Sequence, residues 1–239
     1  MTATVEFTID GTEVRARRGQ TILEAADQAG IYIPRLCAHR KLQPFGSCRV
    51  CVVLVNGRPQ PACIQPVAQG AVVENDTERL TSLRRQIVEM LFVEGNHYCM
   101  FCERSGSCEL QALGYRLGML NPRYPFFYPA RPVDATHPDI MLEHNRCILC
   151  GRCVRASTEL DGKHVFDFVG RGLHKIVAKN SRDGLGGTNA AADDEATSVC
   201  PVGALMRKRV GYAVPIGNRP YDHEPIGSEI EARRLEGTK

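Results

Sequence analysis

The stretch "EGNHYCMFCERSGSCELQ" (94–111) places Cys99, Cys102 and Cys108 within ten residues, one donor short of the four that a tetrahedral ion or a cubane cluster takes. The rest of the chain carries two complete sets. Cys37-x10-Cys48-x2-Cys51-x11-Cys63 is one, and Cys147-x2-Cys150-x2-Cys153 with a distant Cys200-Pro201 is the other. Together these use all eleven cysteines, an odd number that no scheme of disulfides absorbs. His97, two positions before Cys99, is near enough for its imidazole to reach the same centre. With it the count closes at three sets of four.

Spacing separates the centres chemically. One wide gap, one C-x2-C and one distant cysteine suit a [2Fe–2S] core, as in plant-type ferredoxins, although their first gap is four residues and this one is ten. A zinc ribbon normally shows two C-x2-C knuckles, and this set has one. The triple at three-residue spacing wraps one corner of a [4Fe–4S] cubane, and Cys200 closes the same cluster because no second triple exists to exchange with. The third centre is read as a [4Fe–4S] cluster on His97, Cys99, Cys102 and Cys108. His39, two residues after Cys37, is the nearest rival histidine and is expected to cover the first cluster or donate a hydrogen bond. His137, His144, His164, His174 and His223 show no signal above surface or core background.

The bulk numbers agree with a metal reading and exclude others. The formal charge of +3 counts cysteines as neutral. Three loaded clusters bring it to about −2, so a basic surface for nucleic acid is not expected. The start "MTATVEFTID" lacks the basic and apolar regions of a secretory signal, and the longest apolar run, "VCVVLV" (50–55), is far shorter than the ~20 residues that span a bilayer. Clustered free thiols point to a reducing compartment, read as cytoplasmic or matrix-like.

The elements that must position these donors read as an α+β chain. "TVEFTI" (4–9) alternates in strand fashion, Asp10-Gly11 turns it, and "TEVRA" returns. "TILEAADQAG" (21–30) is a short helix with a Thr21/Glu24 capping box and Gly30 as its stop. "RVCVVLV" (49–55) is a strand closed by Asn56-Gly57. This order matches a β-grasp unit over 1–78. A helical unit follows over 79–120, with Leu80, Leu83, Ile87 and Leu91 as the buried face of its first helix and Leu110, Leu113 and Leu117 marking a second. Five prolines in 121–138 make an extended connector without regular elements. A ferredoxin-like unit spans 139–210, with a hairpin over 165–180, a loop over 181–195 and "GALMRKR" as a short helix. A tail over 211–239 carries a last helix capped by Ser228 and Glu231, and with the connector it is the expected partner contact.

"TILEAA", "CRVCVV", "SGSCELQ", "HPDI", "NRCILCGRCVRA" and "CPVGAL" resemble, in this order, one family. It comprises the N-terminal iron–sulfur region of the large complex I subunit, that of [Fe–Fe] hydrogenases, and the small diaphorase subunit of cytoplasmic NAD-reducing nickel–iron hydrogenases. The resemblance runs from about residue 4 to 215. The stretch from Gly95 and the chain's close soon after Cys200 look most like the diaphorase subunit. One residue between His97 and Cys99, where complex I usually has three, departs from that branch. The resemblance implies an electron relay between a nickel–iron hydrogenase module and a flavin/NAD-binding diaphorase subunit. The alternative is the same relay in an NAD-dependent formate dehydrogenase or a complex I-like NADH dehydrogenase. Neither "DGLGGTN" (183–189) nor "GRGLHK" (170–175) fits a nucleotide fingerprint. FMN and NAD are therefore expected on a partner subunit, with no catalytic residue here. A self-sufficient enzyme and a structural zinc module are the competing classes.

Overall fold

The computed structural model describes residues 4–236; residues 1–3 of the expected first unit and 237–239 of the expected tail lie outside the described residues. Strands β1 (Thr4–Ile9) and β2 (Thr12–Arg17) pair antiparallel from Thr4↔Arg17 to Ile9↔Thr12 around the Asp10-Gly11 turn, both of whose residues have positive φ. Helix α1 (Ile22–Gln28) has the anticipated capping box: Glu24 N–H donates to Thr21 Oγ1, and Thr21 N–H donates to the Glu24 carboxylate. Strands β3 (Val52–Val55) and β4 (Arg58–Pro61) form a hairpin over Asn56-Gly57, and β5 (Val72–Glu74) runs between β1 and β3. Because β1 pairs β5 in parallel while β3 pairs it antiparallel, the five-stranded sheet is mixed, in the order β2-β1-β5-β3-β4. With α1 packed on it, this is the β-grasp arrangement expected from the sequence.

Helix α2 (Glu78–Glu94) starts at Thr77, whose hydroxyl accepts from Leu80 N–H. Its buried face differs from the expected one. Leu80 is buried and Ile87 and Leu91 pack half-buried on the core as expected, but Leu83 is 38% exposed, and Arg84, Val88, Glu89, Phe92 and Val93 also point inward. The reason is polar anchoring that periodicity cannot see. Arg84 donates to Val52 O at 2.6 Å, Asn75 O at 2.9 Å and Asn75 Oδ1 at 2.8 Å, clamping the helix to the ends of β3 and β5. Glu89 accepts both bonds of Arg123 at 3.0 Å, which ties down the connector. Helix α3 (Glu109–Arg116) follows, with Leu110 and Leu113 fully buried.

The connector is extended but holds one regular piece. Past Pro132 the chain is free of proline until Pro138, and β6 (Val133–Asp134) there pairs antiparallel with β7 (Ile140–Glu143). Helix α4 (Arg152–Glu159), the hairpin β8 (Phe166–Val169) and β9 (Ile176–Lys179), and the single-turn α5 (Glu195–Ser198) complete the third region. The helix expected at "GALMRKR" is instead strand β10 (Leu205–Arg207), antiparallel to β7 with Leu205↔Leu142 and Arg207↔Ile140. Ladder bonds and burial of Leu205 and Met206 override a weak local helical preference.

The segment beyond 211 is not a loose tail over its described length. Tyr221 N–H donates to Gly106 O at 3.1 Å, and Ile226 and Ile230 are buried in the main core. Helix α6 (Ser228–Glu236) begins at Ser228, but the expected capping pair does not form. Ser228 Oγ donates back to Pro225 O at 2.8 Å, and Glu231 pairs with Arg116 on α3 at 2.5 Å. One continuous core runs from Val5 through Leu113 and Ile148 to Ile230.

Candidate metal centres

In the first set, Cys37, Cys51 and Cys63 are buried and Cys48 is partly so. Arg49, with φ +60, bends the chain between Cys48 and Cys51, so that Cys51 enters β3 from inside the turn and Cys63 follows β4. The thiols of Cys37 and Cys48, Cys37 and Cys63, and Cys51 and Cys63 are in hydrogen-bonding contact, and Cys37 N–H also donates to Cys48 Sγ at 3.4 Å. Neighbouring S–H groups hold Cys37 far below its ordinary value and push Cys63 far above. Four crowded thiols cannot all ionise without a cation among them, which is the condition an iron core meets. His39 shares a hollow with Cys63, and its Nδ1 accepts from Lys41 N–H at 3.4 Å.

In the second set, one hollow is lined by His97, Cys99, Cys102, Cys108, Phe92, Arg146 and Gly203 among others. Cys99 opens a short 3-10 turn that Cys102 ends, and Cys108 stands at the N-cap of α3. Burial pushes the Cys108 thiol up to about 12. Burial, then Arg146 and Arg131, lowers His97 to about 4, so its ring is neutral near pH 7. Its Nε2 is buried with no hydrogen-bond partner. Leaving such a nitrogen dry costs about 1–3 kcal/mol, and coordination removes that cost. His97 is therefore suited to be the fourth donor.

Two glycines shape this hollow. A Cβ on Gly95 would stand 2.7 Å from His97 Nε2 and 2.7 Å from Asn145 O, and one on Gly203 would stand 3.0 Å from Cys102 Sγ. Replacing Gly95 by alanine is expected to displace the imidazole and weaken iron binding at this centre about 10–100-fold, as loss of an outer partner does. Iron analysis after mild chelator challenge checks it.

In the third set, Cys147, Cys150, Cys153 and Cys200 line one hollow whose other walls include Leu142, Ile148, Val177, Val202, Ala204 and Leu205. Leu149 at φ +52 and Gly151 at φ +70 curl the triple so that its thiols turn to one side, and Cys153 sits in the first turn of α4. A Cβ on Gly151 would also meet Phe45 at 3.0 Å. Burial pushes Cys147 to about 11 and Cys150 to about 12. Loading the centre must release these protons.

No group of three or more His, Cys, Asp or Glu among the described residues converges tightly enough for one metal ion. The donors stand around hollows instead, which suits multi-atom cores. All eleven cysteines are free thiols. His144, with no expected role, is buried between Pro132 O and Val177 O at 3.0 and 2.8 Å, and His137 lies within 3.1 Å of Ala190 O.

The three sets are sewn together. Glu109 N–H, beside Cys108, donates to Pro201 O, beside Cys200, at 2.8 Å. Arg155 on α4 donates to Cys37 O at 2.6 Å. Buried Arg152 joins Glu109, Ala38 O and Val199 O. Sequence reasoning passed over Arg84, Arg146 and Arg152, and only Arg152's place inside the cysteine triple could have marked it.

Comparison with known proteins bears on these centres directly. Residues 2–78 match the 2Fe-2S iron-sulfur cluster binding domain, residues 84–123 the NADH-ubiquinone oxidoreductase-G iron-sulfur binding region, and residues 137–206 the ferredoxin-like domain of NADH-quinone oxidoreductase subunit 3. The gamma subunit of the NAD-reducing hydrogenase HoxS of Cupriavidus necator is 39% identical over 237 residues, covering 98% of both chains. The chain belongs to this family of NAD-reducing hydrogenase iron–sulfur subunits. A chain in the crystal structure of an NAD+-reducing [NiFe]-hydrogenase in the H2-reduced state superposes with a TM-score of 0.92 at 48% identity, covering 97% of this chain and 99% of that one. The mitochondrial 78 kDa subunit of NADH-ubiquinone oxidoreductase from Candida albicans is 36% identical over 92% of this chain, which spans only 30% of that longer protein. The complex I-like alternative thus fits less well than the hydrogenase gamma subunit.

Proposed function

We propose that the chain relays electrons through one [2Fe–2S] cluster on Cys37, Cys48, Cys51 and Cys63 and two [4Fe–4S] clusters, one on His97, Cys99, Cys102 and Cys108, the other on Cys147, Cys150, Cys153 and Cys200. The observation that carries it is the buried, unpartnered Nε2 of His97, a residue that lines one hollow together with three cysteines. As in the family, the relay joins a nickel–iron hydrogenase module, with its small and large subunits, to a diaphorase subunit holding FMN and NAD. Oxidation of H2 yields two electrons and two protons. NAD+ takes both electrons and one proton, giving NADH and H+.

Iron–sulfur centres supply one-electron steps. This chain's residues hold the thiolates, keep water out with Leu142, Val177, Val202 and Leu205, and keep the centres in one rigid core. The units assigned are 1–78, 79–120 and 139–210, with the connector 121–138 and the tail 211–239. No described helix is long and apolar enough to cross a membrane, and the free thiols favour a cytoplasmic setting.

Docking of partner subunits is assigned to the exposed apolar residues of the connector and of the 210–216 stretch: Phe127, Tyr128, Tyr212 and Ile216, the last 84% exposed. Truncation at 215 would remove the buried Ile226 and Ile230 and so confuse docking with folding; Ile216→Asp is the cleaner variant. Purified anaerobically, this chain alone is expected to carry about ten irons per copy, and Ile216→Asp is expected to lower recovery of partner subunits with the complex. Zinc in place of iron would overturn the reading.

A further inference from the structure

Arg152 lies in the first turn of α4, between Cys150 and Cys153, with its side chain 3% exposed. Its guanidinium is bidentate on Glu109, with Nη1 to Oε1 at 2.6 Å and Nη2 to Oε2 at 2.7 Å. It also donates to Ala38 O at 2.9 Å and to Val199 O at 3.3 Å. Glu109 follows Cys108, Ala38 follows Cys37, and Val199 precedes Cys200. One buried cation therefore grips the chain beside a donor of every set.

We propose that Arg152 is a shared positioning residue for all three centres, locking their loops together and, against the charge of Glu109, setting their reduction potentials. The inference rests on the cluster assignment above.

Stability alone does not account for the pair. A buried ion pair is often replaceable by apolar residues without loss, because desolvation offsets the attraction. Lysine could not take over either, since a point ammonium cannot make a fork onto a carboxylate while reaching two carbonyls. What the charge does in a dry interior is act on other charges. Each cluster gains an electron on reduction, so a nearby cation favours the reduced form and a nearby carboxylate opposes it. The two charges are also placed unequally. The charge of Arg152 bears on Cys150 and Cys200, whereas Glu109 adjoins Cys108. Arg152 is enclosed while Glu109 is partly exposed, so salt screens this pair less than it screens surface charges. The buried Nε of Arg152 has no partner and remains a spare donor in the same region.

Potentiometric EPR titration of the intact complex tests this, with iron content measured on each sample. Arg152→Gln leaves Glu109 uncompensated and is expected to lower the third cluster's potential most. Its reduced-to-oxidised ratio at a fixed potential should fall at least about tenfold, equivalent to 59 mV for a one-electron couple. Glu109→Gln should shift the second and third clusters the opposite way, and the double variant should return most of the change. Arg152→Lys should keep the potentials near the parent's while melting at lower temperature, because the charge survives and the fork does not. Unchanged potentials in both single Gln variants, with full iron content, overturn the proposal. Should Arg152→Gln lose iron, the sign of the Glu109→Gln shift decides alone: upward supports it, absent or downward overturns it. A parent complex without three distinct iron–sulfur signals would instead overturn the cluster assignment.

Discussion

Substituting His97 by alanine is expected to remove about four of the ten irons per chain, and substituting it by cysteine to keep all ten while changing how one cluster titrates. Alanine leaves three thiols without a fourth donor in a buried hollow where burial already pushes Cys108 to about 12, so the site loses its metal and reverts to protonated thiols. Cysteine supplies the missing donor but adds a negative charge. Replacing two thiolates by imidazoles in Rieske centres raises the potential by hundreds of millivolts, so one exchange in the reverse direction should lower it by on the order of 100 mV. The neutral state of the native ring fixes the sign, since His97 is lowered to about 4 by burial and by Arg146 and Arg131. EPR-monitored titration of His97→Cys checks the shift. A signal and potential identical to the parent's would remove His97 from the ligand set.

Substituting Cys200 by alanine should be the most damaging single change to overall activity. Cys200 is the distant member of its set, carried by the strand-side loop of β10 rather than by the triple, and its neighbours Val199 and Pro201 are bonded to Arg152 and to Glu109 N–H. The variant should lose about four irons. Loss of a mere outer partner costs about 10–100-fold, so losing a ligand should cut H2-driven NAD+ reduction by at least about a hundredfold. NADH-driven dye reduction by the flavin subunit should persist, because that reaction need not cross this chain. Retention of H2-driven activity would take this centre off the path.

Much of this architecture was legible because cysteine spacing, turn dipeptides and caps are local signals. Asp10-Gly11 and Asn56-Gly57 do turn the two hairpins, and Thr21 with Glu24 does cap α1. The count that pointed to His97 was likewise arithmetic on nearby residues. The misreadings share a different cause. Arg84 and Glu89 look like solvent-facing positions until their partners, Asn75 and Val52 on the sheet and Arg123 on the connector, are in place. "GALMRKR" is a strand because β7 offers it a ladder, and the Ser228–Glu231 pair does not form because the Glu231 carboxylate is taken by Arg116 of α3. Each depends on a partner the local window does not contain. Gly95 and Gly203 belong to the same class: their need to be small arises from His97 and Cys102 folding back upon them.

The packing of α6 bears on how such a protein is made. The helix is translated after all twelve donors, yet Ile230 enters the core shared with Cys37 and Cys51, and a Cβ on Gly227 would strike the Tyr32 ring at 2.3 Å, so closely does the segment seat there. Until that seat is taken, the wall beside the earliest-synthesised sheet stays open to the surrounding medium. A chain cut before Gly227 is therefore expected to leave the wall beside Tyr32 bare.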